Sequence, residues 1–182
     1  MIPLHDDNPT HIRPLIALSF IVLCVVAFIW QLSLGQQVNQ QMVFSLGVIP
    51  SVLLDKAQLP VDLYTIPAEL TVFTSMFLHG GFMHLAGNML YLWIFGNNVE
   101  DCMGHIRFIV FYFLCGIAAV FGQVLQNPDS TIPMIGASGA ISGVLGAYLL
   151  IYPKARVLIV IPLGIYPLLL RLPAMLVLGV WF

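Results

Sequence analysis

"LIALSFIVLCVVAFIW", residues 15–30, carries no charge along its length and a single hydroxyl, Ser19. Strands of a membrane β-barrel alternate apolar and polar residues over segments of about ten, and this run does not alternate. A continuous apolar stretch of about 20 residues is what an α-helix needs to cross a bilayer. The run lies inside a charge-free interval, 14–54, and four more follow at 70–99, 108–128, 130–153 and 157–170. Hydrophobic residues make up 60% of the chain and charged residues 8%, against about 25% charged in a soluble domain. Such a chain cannot cover a water-facing surface. The expected fold class is an all-α polytopic membrane protein. Eight acidic residues against six basic ones leave no basic field for nucleic acid.

The intervals place helices at about 14–34, 80–99, 106–125 and 136–152, and the start of a fifth at Pro173. Residues 1–13 form a tail. A long loop, 36–72, is broken by Pro50, Pro60 and Pro67. Its first half holds Phe44, Leu46, Val48 and Ile49 and is expected to lie partly in the membrane interface. The tail is a weak match to the charged head of a signal peptide, so the first helix is read as retained. The three cysteines, Cys24, Cys102 and Cys115, suggest neither a disulfide framework nor a metal cluster. Cys102 with His105 reads as surface.

Lys and Arg favour the cytoplasmic side of a membrane. With the N-terminus inside, Arg13, Arg107, Lys154, Arg156 and Arg171 all fall inside, and Lys56 alone falls outside. Asp55, Asp62, Glu69 and Asp129 then face outward. The same N-in topology puts the start of the fourth helix near the outer surface, together with the start of the second. Ser138 is therefore expected at the depth of His79, His84 and Asn88, with His5, His11 and His105 on the other side.

The fourth helix opens within "PMIGASGAISGVLGAY", residues 133–148. Gly139 and Gly143 form a GxxxG ridge that lets helices approach closely, and serine is also a small packing residue. Ser138 is at the same time a possible nucleophile, bracketed by Gly136 and Gly139 at a helix N-terminus whose free N–H groups can hold negative charge. His84 and Asn88, spaced i, i+4, share one helix face, which Tyr91 extends. Polar groups within hydrocarbon face the protein interior or a water-filled cavity. The pair serves either as a packing hydrogen bond or as donors to a developing oxyanion. His79, five residues before His84, would be turned away from that face on a regular helix. No Asp or Glu falls within a membrane segment, so serine chemistry here would need a histidine base in a dyad.

"HGGFMHLAGNMLYLWIFGNNVEDCMG", then "YFLCGIAAV" and "GASGAISGVLGAY", resemble the rhomboid family of intramembrane serine proteases. The joint motifs are His84-x-x-x-Asn88 and Gly136-x-Ser138-Gly139. The resemblance implies a rhomboid-like helical bundle over 14–182, with Ser138 as nucleophile, His84 and Asn88 as oxyanion-hole donors, and His79 as structural. It implies single-pass membrane proteins as substrates, cut near the outer face, membrane lipid as surroundings, no cofactor or metal, and a bacterial plasma membrane as location. Two positions depart from the family pattern. Leu70-Thr71 stands where many members have Trp-Arg, and Ser142 where some have Tyr.

In the family the base is a histidine on a sixth helix. This sequence has none after His105. Pro173 to Phe182 spans about 15 Å of helix, half of a bilayer core of about 30 Å. The expectation is a chain cut within its fifth helix, inactive alone as 182 residues. Reading 157–182 as one span instead would bury Arg171 and three prolines. A pseudoprotease that binds membrane clients is the alternative function, and intact GxSG and HxxxN argue against it. A transporter would show repeats or intramembrane charges, and the sequence has neither.

Overall fold

The computed structural model describes residues 2–163, 166–179 and 181. A strand, β1, covers Ile2–Asp6. The opening apolar run forms α1, Leu15–Ser33. Gly35, in the left-handed region at φ 72°, breaks α1 and starts α2, Gly35–Leu46. Only Met42 and Ser45 of α2 are buried, and its other residues include five Gln or Asn. Short turns follow: α3 over Pro50–Leu53, a 3-10 turn over Ala68–Leu70, α4 over Thr71–Thr74, and another 3-10 turn over Ser75–Phe77. The segment expected as a loop, 36–72, is thus partly helical. Amide side chains on α2's open face gave no apolar period from which to read it.

Then come α5, Phe82–Met103, α6, His105–Gln126, and α7, Ser138–Ile151. Gly104 joins α5 to α6 at φ 78°, a conformation that glycine adopts without a Cβ penalty. Helix α5 runs past the expected end at 99, so Glu100 and Asp101 lie in its last turns. Their place, about 24 Å along the axis from His84, is far from the serine.

The expectation of an all-α fold also needs correction. Strands β2, Arg156–Leu163, and β3, Tyr166–Pro173, form with β1 an antiparallel sheet of order β1-β2-β3. Ile2 pairs with Val160 and Asp6 with Val157 across one edge, and Arg156 with Pro173 to Leu163 with Tyr166 across the other. Val157, Ile159 and Ile161 are β-branched and fit a pleated surface. Val157 and Ile159 point into the core beside Ala174, Val177 and Leu178 of α8, Ala174–Gly179. The apolar stretch 157–170 is a strand pair rather than part of a span.

Among the described residues two helices are long and apolar enough to cross a membrane, α1 and α6. Helix α7 has 14 residues, about 21 Å, and α5 carries Asn88, Asn97, Asn98, Glu100 and Asp101. The four spans expected from sequence therefore divide into two of span character and two shorter or more polar helices. Helices α1, α5, α6 and α7 share one core, in which Cys24, Leu92, Phe95, Phe108, Tyr112, Ile141 and Tyr148 are fully buried. The glycine ridge of α7 meets α6: a Cβ on Gly139 would come 2.6 Å from the Ala119 Cβ.

At the end of the bundle where the sheet lies, carboxylates hold the N-terminus of α1. Glu100 is buried and accepts the N–H groups of Ile16 and Ala17 at 2.9 and 2.8 Å. His105 Nδ1 lies 2.5 Å from the same carboxylate. Asp101 accepts His11 and Ile12 N–H at 2.9 and 2.7 Å. Negative charge at a helix N-terminus is favourable.

Candidate active site

Ser138 is the first residue of α7 and is half-buried. Three residues on, Ile141 N–H begins the helical ladder by bonding Ala137 O at 3.0 Å. The N–H groups before it have no partner within the helix, as at any helix start. Gly136 shapes the approach. Its φ of 125° suits glycine alone, and its N–H donates to Ser75 O at 2.9 Å. A Cβ at this position would fall 2.7 Å from His84 Cε1 and 2.8 Å from Nε2. The imidazole of His84 therefore lies directly against the backbone two residues before the serine, and both space and φ demand glycine there.

His84 sits in the first turn of α5 and is exposed. Asn88, one turn on, is 1% exposed, and neither its Oδ1 nor its Nδ2 has a hydrogen-bond partner among the described residues. Buried polar atoms are almost always paired, and leaving one unpaired costs about 1–3 kcal/mol. An amide kept this way is free to bond a group that enters the site.

The structure brings His79 to the same place, which sequence reasoning did not expect. Helix α5 starts at Phe82, so His79 precedes the helix and regular helix spacing does not apply to it. Its ring packs edge-on against His84, centroids 5.1 Å apart. The residue is 1% exposed, with Nδ1 3.3 Å from Phe77 O and Nε2 unpaired among the described residues. His105 lies at the far end of α5 beside Glu100, and His5 is on β1 in the sheet.

On the other side of Ser138, a cavity of about 440 Å³ is lined by Ser75, Met76, Gly116, Gln123, Gly136 and Ser138 among others. Neither His84 nor Asn88 lines it. The serine thus stands between a cavity on the α6 side and imidazole on the α5 side. Ser142, one turn below Ser138, accepts Trp181 Nε1–H at 2.9 Å, and Trp181 packs 4.4 Å from the ring of Tyr91. At the other departure from the family pattern, Leu70 is exposed and Thr71 donates to Ala68 O at 2.5 Å. No group of three or more potential metal ligands is found among the described residues.

The sequence reading passed over Gln31, Ser75 and Gln123. Gln31 had a signal: it is an amide in the last turns of an otherwise apolar span, and such groups are costly in hydrocarbon.

A family model described as the Rhomboid domain matches residues 68–182. The chain is 33% identical over 98 residues to Rhomboid protein 1, mitochondrial, of Saccharomyces cerevisiae, covering 52% of this chain and 28% of that protein. It is 45% identical over 76 residues to Rhomboid protease GluP of Bacillus subtilis, covering 42% and 14%. With Putative rhomboid protease YdcA of the same organism it shares 37% identity over 76 residues, covering 42% and 38%. At most 38% of these three proteins' own length is covered.

Proposed function

Since the chain belongs to the rhomboid family, whose members are integral membrane proteins, we propose that it is the nucleophile-bearing part of an intramembrane serine endopeptidase. One observation carries the reading. Ser138 opens a helix beside an imidazole pressed on Gly136, with a buried amide, Asn88, that has no partner among the described residues.

The chemistry follows from these groups. A base takes the proton from Ser138 Oγ, and the oxygen attacks a peptide carbonyl. The oxyanion that forms receives N–H groups from His84, Asn88 and Ser138 itself. Collapse expels the amine, which takes the proton from the base, and leaves an acyl-serine. Water then repeats the sequence and frees the serine. His84 must donate in this scheme, so it is not the base. The family resemblance assigns that role to a histidine on a sixth helix.

The substrates are single-pass membrane proteins, in line with the family. Their segments must unwind for attack, so Gly, Pro and small residues near the cut are favoured. The membrane carries the protein N-in, with α1, α5, α6 and α7 as four spans and Ser138 toward the outer face of a bacterial plasma membrane. The distribution of Lys and Arg supports that orientation.

In the full-length protein, Ser138→Ala is expected to abolish cleavage of a transmembrane reporter with expression and folding intact. Cleavage at the wild-type rate would overturn the assignment. A wild-type protein that captures such reporters without cutting them would be the pseudoprotease instead.

A further inference from the structure

A polar side chain of α1, a helix with no other part in the site, reaches the backbone behind it. Gln31 lies near the end of α1 and is 2% exposed. Its Oε1 accepts the His79 N–H at 2.9 Å, and its Nε2 donates to the His79 carbonyl at 3.1 Å. One amide thus satisfies both backbone groups of one residue, 48 positions away in sequence. Nε2 also donates to Asn39 Oδ1 of α2 at 3.3 Å.

The clasped residue sits where the backbone is neither helix nor strand. Residues 78–81 link the turn ending at Phe77 to α5. Irregular backbone at membrane depth survives only where it is buried in protein or lines a water-filled cavity. That alone would make Gln31 a structural residue. The geometry goes further, because the side chain of the clasped residue is the one that faces the site. The His79 ring packs on His84, and the His84 ring packs on Gly136, two residues from Ser138. His79 Nδ1 beside Phe77 O fixes the ring only as well as the His79 backbone itself is fixed.

We infer that Gln31 is a positioning residue for the reaction proposed above, acting through the His79 backbone to hold the His79 ring against His84. It touches neither Ser138 nor any group placed at the oxyanion. The inference rests on the protease reading for its kinetic consequence and on the hydrogen bonds alone for its structural one. Displacing a reacting group by about 1 Å costs as much as about 100-fold in rate. The effect is therefore expected in kcat, because a ring that guides transition-state contacts contributes little to binding the substrate.

The test uses the full-length protein in detergent or lipid, with Gln31→Met, which keeps length and bulk and loses both polar atoms. The first arm is kinetic. Gln31→Met is expected to lower kcat about 10- to 100-fold with KM nearly unchanged. In a His79→Phe background it is expected to cost almost nothing more, because the ring it steers is gone. A kcat equal to wild type, a loss carried by KM, or full additivity with His79→Phe would overturn the inference. The second arm needs no turnover. With ¹⁵N-labelled histidine, wild-type His79 is expected as a single Nδ1–H tautomer, and Gln31→Met as an exchanging mixture. An unchanged His79 signal would overturn it. Should Gln31→Met not fold, Gln31→Glu replaces it, keeping the acceptor at the same length, with smaller losses expected in both arms. If the wild type itself shows no turnover, the protease reading falls and the histidine spectra still decide the clasp.

Discussion

The two ends of α5 differ in how fully their buried polar groups are paired. At one end Glu100 accepts two N–H groups from α1 and meets His105, and Asp101 accepts two more N–H groups. Asp6 nearby accepts the Tyr148 hydroxyl at 2.7 Å and Asn8 Nδ2–H at 3.0 Å. At the other end Asn88 and His79 Nε2 are buried without partners among the described residues, His84 is open, and a cavity reaches Ser138. The pairing at the Glu100 end is not complete, since Asn98 Nδ2 donates to Asn8 O at 3.1 Å while its Oδ1 has no partner among the described residues, a cost of about 1–3 kcal/mol. At the other end both polar atoms of Asn88 are unpaired among the described residues, and there they stand beside an exposed imidazole, where an entering group can meet them. The polar residues of α5 alone would not separate these roles. Their partners do.

The sharpest way to break this contrast is to ask the 182 residues to work alone. Of the chain's five histidines, His79 and His84 are the two beside Ser138, and His84 is assigned as a donor. No Ser138-dependent turnover of a fluorogenic membrane substrate is expected from residues 1–182 in detergent. Turnover would make one of these two imidazoles the base and move the open end from oxyanion binding to proton transfer.

Next in size, His84→Ala and Asn88→Ala are each expected to slow the full-length enzyme by about 10²–10³ and to leave its thermal midpoint unchanged or higher. Unchanged rates for both variants would return the pair to packing.

Glu100→Ala should show the reverse pattern. It leaves two buried N–H groups of α1 without their acceptor, a loss of about 3 kcal/mol, read as a lowered unfolding midpoint in detergent. The cleavage rate per folded molecule should stay near wild type. If kcat fell with stability preserved, the two ends would be coupled and the contrast wrong.

The smallest effect is expected at Lys56. Its 2.7 Å bridge to Asp129 is exposed on both sides, so Lys56→Ala should change stability by less than about 1 kcal/mol. The position also reads orientation. Cysteine at 56 should react with an impermeant label from outside, and cysteine at 154 from inside; the opposite pattern would put Ser138 at the inner face.

The long apolar helices were legible because hydrophobic runs fix them: α1 and α6 lie within a residue or so of their expected bounds. The sheet was not. A short apolar run suits a buried strand or a helix segment equally, and the partner of β2 is a tail about 155 residues earlier in sequence. Helix α2 escaped because Gln and Asn carry no period. At the candidate site, spacing singled out Gly136, Ser138, His84 and Asn88 with packing as an open alternative, and the family resemblance joined them. That Asn88 is unpaired, that His79 stacks on His84, and that Gln31 grips a backbone depend on which groups the fold leaves facing one another, and residue types do not encode that locally.

Pairing between Ile2 and Val160 also sets an order of assembly. The ribosome makes the first strand long before its partner, and at about 5–20 residues per second the tail waits roughly 8–30 s for the β2 segment to emerge. Throughout that time its edge is an open template for other chains. Strand β1 thus reaches its place only after α7 has been made and the hairpin behind it exists. A fusion partner on β1 would load the step that closes this sheet, so a tag is better carried elsewhere.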